Sequence, residues 1–114
     1  MHMTAPIDLA HKKCKPCDGG VLPFTEKQAQ DYLNVTSGWV LNKDGKSIRK
    51  HYKFGNFKTA LDFVNAVGAV AESENHHPDI VLKWGSVDIE LSTHAIKGLS
   101  ENDFILAYKI DNPV

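Results

Sequence analysis

No apolar run in this sequence approaches the ~20 residues that a helix needs to cross a bilayer. Even the stretch from Val87 to Leu91 is interrupted by Asp88 and Glu90. An excess of charge is missing too: 13 basic residues stand against 14 acidic ones, a formal charge of −1. That is too weak a positive field for direct binding to nucleic acid. The N-terminal part lacks the charged, apolar and cleavage regions of a secretory signal, so the cytoplasm is the expected compartment and its thiols stay reduced. Cysteine is scarce. Cys14 and Cys17 form a single C-x-x-C followed by Asp18-Gly19-Gly20, without the second pair of a zinc site or the helix of a redox motif. Both are read as incidental and dispensable thiols.

What is present is an ordinary globular composition, 42% hydrophobic and 24% charged over 114 residues, which suits one compact domain. Residues 1–21 contain Lys12, Lys13, Lys15, Pro16 and two glycines with no apolar period. They are expected to form a flexible arm ahead of a single domain at 22–114. Thr25 with Gln28 makes a capping box and predicts a helix from Glu26 to Leu33. Trp39 to Leu41 predicts a strand that turns back at Asp44-Gly45 into Ser47 to Phe54, where Ile48, Tyr52 and Phe54 alternate with Arg49, His51 and Lys53. Asn56 caps a longer helix whose stripe is Phe57, Leu61, Val64, Val67 and Ala71. That helix must stop before Pro78. A second hairpin follows: Ile80, Leu82 and Trp84, a turn at Gly85-Ser86, then Val87, Ile89 and Leu91. Ser100 with Asp103 opens a last helix carrying Phe104, Leu106, Ala107 and Ile110. The expected class is α+β, a four-stranded, mostly antiparallel sheet of two hairpins with three helices packed on one face. Because the other sheet face is left bare, a homo-oligomer is expected.

Six histidines are the unusual feature. His76 and His77 on their own would do no more than end a helix, where a cationic imidazole suits the negative end of the dipole. His94 changes this, because a strand pair running out and back returns the chain to its start and brings His94 beside them. A metal site is disfavoured, since adjacent histidines point apart and no H-E-x-x-H is present. Metal-free proton transfer suits three imidazoles, which both give and take protons near neutrality. Glu72, at the unfavourable end of its helix dipole, needs a partner or a role, whereas Asp103 already has one as a first-turn acid.

The pattern Glu72-x-x-x-His76-His77-Pro78, then Trp84, Leu91-Ser92-Thr93-His94, Gly98-Leu99-Ser100-Glu101 and Asp103, resembles the pterin-4a-carbinolamine dehydratases over residues 22–111. The resemblance implies an α+β fold, dimers or tetramers, and a cofactor-free dehydration of 4a-hydroxytetrahydropterin to quinonoid dihydropterin, as in tetrahydrobiopterin recycling. It also implies His76, His77 and His94 as the active-site trio, supported by Asp103. Thr93 and the neighbouring backbone at Pro78 and Ala95, with Glu72 and Trp84, would then contact the substrate. Asn75 stands where some animal members carry an aspartate. Some of those members also serve as dimerisation cofactors of a transcription factor, so a binding module is the alternative expectation. Two histidines would carry the proton transfers that dehydration requires, with the acid and base roles of His76 and His94 left open, and His77 would hold the ring.

Overall fold

The computed structural model describes residues 8–16 and 21–113. In chain order the elements are α1 (Glu26–Leu33), β1 (Val40–Leu41), β2 (Ile48–Lys53), α2 (Phe57–Glu74), β3 (Asp79–Lys83), β4 (Ser86–Leu91) and α3 (Glu101–Asp111). The fold is α+β, with one antiparallel sheet in the order β1-β2-β4-β3. Two hairpins are present. The pairing that joins them, Ile48↔Leu91 through Lys53↔Ser86, is as long as β2 itself. Among the described residues no helix is long and apolar enough to cross a membrane.

The period of two decides what the sheet buries. Ile48, Val87, Ile89 and Leu91 are each at most 1% exposed and face the helices, each contributing roughly 1.5–3 kcal/mol on leaving water. Their neighbours Arg49, Glu90 and Asp79 share a row with exposed Val40 on the opposite face. From the other layer α3 inserts Phe104, Ile105, Leu106 and Ala107. The caps are those the sequence predicts: the Thr25–Gln28 and Ser100–Asp103 boxes are both formed, and Asn56 accepts from the Thr59 N–H.

Three features depart from the sequence reading. The face that α2 buries is Ala60, Val67 and Ala71, while Phe57 and Leu61 are exposed. This helix is apolar on more than one side, so periodicity alone does not choose the inner one. The β3–β4 turn is Trp84-Gly85, because Lys83 pairs with Ser86. Trp84 therefore leaves the strand and is 69% exposed. The third departure concerns the stretch before Leu22. Residues 8–16 form neither helix nor strand, yet Leu9 is 1% exposed within the core. A buried apolar anchor so early makes this stretch a strap across the helices, so order does not begin at Leu22.

Candidate active site

Helix α2 ends where Asn75 adopts the left-handed conformation (φ 52°), which asparagine tolerates better than most side chains. The His76 N–H reaches back to Ala71 O at 3.2 Å and the Asn75 N–H to Glu72 O at 3.2 Å. This paired closure of a helix end redirects the chain, with Pro78 preventing any return to helix. His94 comes from the other direction. It opens a single 3-10 turn, His94–Ile96, pinned by a bridge between Thr93 and Gly98. At Gly98 a side chain is impossible without movement, because a Cβ there would lie 2.6 Å from Pro23 Cβ.

The two segments meet at a cleft of about 360 Å3 lined by His76, His77 and His94, together with Asn75, Ser92, Thr93, Ala95 and Asn102. Its size lies within the usual range for small-molecule sites. Behind it stands Asp103, with a side chain 0% exposed. His76 Nε2 donates to Asp103 Oδ1 at 2.7 Å, while Thr93 Oγ1 and the Ser100 N–H donate to Oδ2 at 2.9 and 3.0 Å. Because Thr93 spends its proton on Asp103, the Ser100 hydroxyl must be the donor in the 2.8 Å contact between them. Three donors and the positive end of α3 thus face one buried carboxylate. They hold a His76 proton on Nε2, so that the neutral ring carries its lone pair on Nδ1.

The other two histidines are held differently. His77 Nε2 meets Glu72 Oε2 at 2.5 Å, a pair open to solvent with side chains 55% and 78% exposed. This is the partner that Glu72 needed at its helix end. The His94 ring makes no hydrogen bond to a described residue and is exposed. The structure therefore brings His76, His77, Thr93, His94 and Ala95 together and places Asp103 behind His76. It does not bring in Pro78 or Trp84, neither of which lines the cleft. Trp84 sits at the turn of the β3–β4 hairpin, whose other end carries the histidines. Glu72 acts on His77 from outside the cleft.

Sequence reasoning missed Lys15 and Pro16, which also line the cleft. No periodicity or motif marked them. Cys14, next to them, is a packing residue: burial first and the Glu74 charge second push its thiol up to about 12. Cys17 lies outside the described residues. Among the described residues no three His, Cys, Asp or Glu side chains group as a metal site. A separate recess of about 440 Å3 on the outer sheet face contains His51, paired at 2.5 Å with Asp88 across the strands. Its lining is charged, with Arg49, Lys50, Asp79, Asp88 and Glu90, but holds one histidine where the first cleft holds three.

Comparison with known proteins shows the family. Residues 22–113 match the family described as Pterin 4 alpha carbinolamine dehydratase. A relative from Halorhodospira halophila is 49% identical over 105 residues, covering 92% of this chain and 96% of its own. One from Rickettsia canadensis is 47% identical over 107 residues, covering 93% and 97%. Both carry names that provisionally assign them to that enzyme. The solved structure of a transcriptional coactivator/pterin dehydratase from Brucella melitensis superposes with a TM-score of 0.75 at 30% identity, covering 79% of this chain and 96% of that one. A pterin dehydratase-like RuBisCO assembly factor of the alpha-carboxysome shares the fold, with a TM-score of 0.57 at 24% identity over 66% of this chain and 87% of that one.

Proposed function

This chain belongs to the pterin-4-alpha-carbinolamine dehydratase family, and on that premise we propose that it dehydrates 4a-hydroxytetrahydropterin, such as the tetrahydrobiopterin carbinolamine, to the quinonoid dihydropterin. The observation that carries the reading is the His76–Asp103 pair, one imidazole fixed by a buried carboxylate in a cleft that a second, solvent-exposed imidazole, His94, also lines. In the reaction the C4a–O bond breaks with its electron pair on oxygen, the N5 lone pair forms the C4a=N5 bond, and the N5 proton departs. His76 Nδ1 is assigned the N5 proton, because Asp103 fixes the opposite nitrogen as donor and offsets the imidazolium that forms. His94 protonates the leaving oxygen, so that water is released. His77, tied to Glu72, holds the ring together with Thr93. No metal enters, and activity is expected to survive chelation. The cytoplasm and tetrahydrobiopterin recycling belong to the same proposal.

The test is turnover of synthetic 4a-hydroxytetrahydrobiopterin. His76→Ala and His94→Ala should each lower kcat by about 10²–10⁴, and the double variant should lose far less than the product of the two. His77→Ala should mainly raise KM, because it removes an interaction shared by ground and transition states. Turnover within about threefold of wild type for both His76→Ala and His94→Ala would sink the acid/base assignment. A chain that acts only by binding a partner would show no turnover at all. Self-association as a dimer or tetramer is part of the same reading, supported by the half-exposed Val40 and Val81 on the uncovered sheet face. Light scattering that returned only 12.7 kDa would remove it.

A further inference from the structure

The first turn of α3 is polar at four successive positions, Ser100, Glu101, Asn102 and Asp103. Ser100 caps the helix and Asp103 holds His76. The two residues between them hold the strap. Glu101 Oε2 accepts from Lys12 Nζ at 2.7 Å. Asn102, 6% exposed, accepts the Lys15 N–H on Oδ1 at 2.9 Å and donates Nδ2 to Lys15 O at 2.6 Å. From α2, Glu74 Oε1 accepts the Cys14 N–H at 2.9 Å, and the same carboxylate meets Lys109 at 2.7 Å. Glu74 is itself 7% exposed.

Such groups are costly to bury without partners. Their orientation toward the backbone of residues 14 and 15 shows that the strap is a fixed part of the fold. Proline at position 16 adds to this, because it restricts Lys15 to extended conformations, and the Asn102 bonds fall on Lys15, which has the N–H that Pro16 lacks. The strap reaches the cleft with Lys15 and Pro16. Among the described lining residues Lys15 is the one lysine or arginine.

Resting on the pterin reading of this cleft, we infer that the strap is the third wall of the substrate site. Lys15 is a binding residue for the electron-rich carbonyl edge of the pterin, and Asn102 is the positioning residue that sets it there. One rigid turn of α3 then places both the base, through Asp103, and the cation, through Asn102. Removing the cation should weaken binding of substrate and transition state alike, so the loss should fall on KM rather than on kcat.

The experiment measures calorimetric binding of 7,8-dihydrobiopterin, a non-reacting probe, alongside steady-state kinetics on the carbinolamine. Lys15→Met, an exposed substitution that spares the fold, and Asn102→Ala should each weaken probe binding and raise KM about tenfold, as expected for one lost charge-assisted or positioning bond. Lys15→Arg, which keeps the cation, should stay within about threefold of wild type. Wild-type binding with Lys15→Met inside about twofold overturns this inference and leaves the dehydratase reading standing. A wild-type chain that neither binds the probe nor turns over the carbinolamine overturns both.

Discussion

At the start of α3, Asp103 gathers His76, Thr93 and the Ser100 N–H; at its end, Asp111 gathers Trp39 Nε1 at 2.9 Å, Lys50 Nζ at 2.9 Å and Tyr52 Oη at 2.7 Å. Each carboxylate has three donors, but the consequences differ. Asp103 occupies the end of the helix where the dipole favours an anion, and it is wholly buried. Asp111 occupies the end where the dipole opposes one, and the Lys50 ammonium compensates. Trp39 Nε1 has no second polar atom and Lys50 turns a further proton to Ser37 O at 3.1 Å, while burial first, then Asp111 itself, push the Tyr52 hydroxyl up, so it stays a phenol. An imidazole is different. It satisfies Asp103 with one nitrogen and keeps the other for a ligand. Asp103 is part of a site because one of its donors, His76, retains a second ring nitrogen beside the cleft.

Substituting the two aspartates separates these roles most sharply. In Asp103→Asn the amide oxygen is drawn to Thr93 and the Ser100 N–H, which turns Nδ2 toward His76. The imidazole must then accept at Nε2 and carry its proton on Nδ1, the wrong tautomer for a base. We predict a fall in kcat of about 10² with a cooperative melt retained, measured by steady-state kinetics and calorimetry. Asp111→Asn should do the reverse. Stability should drop by about 1–3 kcal/mol in denaturant unfolding, since Lys50 loses its counter-charge, while kcat stays near wild type. Equal activity losses in the two variants would erase the distinction.

The smallest effect concerns acid. Burial alone would raise the carboxyls of Glu74 and Glu101. Lys109, the Cys14 N–H and Lys13 outweigh it at Glu74, and Lys12 and Tyr32 do so at Glu101, so both titrate below the ordinary value. A carboxyl lowered by folding contributes stability that is present above its unfolded value and lost as pH falls through its folded one. Both hold the strap, so acidification below the ordinary carboxylate range should loosen residues 12–15 before the sheet. Hydrogen exchange of the Cys14 and Lys15 amides, referenced to the β2–β4 ladder, measures this. Protection that is unchanged in acid would contradict it.

The legible parts of the molecule were local. Capping boxes are built from residues three apart, and both form as predicted. Gly45 takes the positive φ, 72°, expected of the Asp44-Gly45 turn. The convergence of His94 on His76 and His77 followed from hairpin geometry, which is short-range. The illegible parts depended on distant partners. Phe57 and Leu61 fit a helical stripe as well as Ala60 and Val67 do, and only the sheet selects between them. Trp84 fits the alternation of β3, but the register with β4 puts it in the turn.

The sequence by itself determined the order of elements, the helix N-caps, the alternation of β2, β3 and β4 and the identity of the titratable trio, because each of these is written in spacings of a few residues. Tertiary structure alone decided that Asp103 backs His76 while Glu72 backs His77, and that Lys15 and Pro16 line the cleft. The Lys15–Asn102 contact spans 87 residues of chain, and no periodicity encodes a meeting at that separation. It exists because buried Asn102 and Glu74 need partners, and the strap, anchored by Leu9, is what the fold brings within their reach.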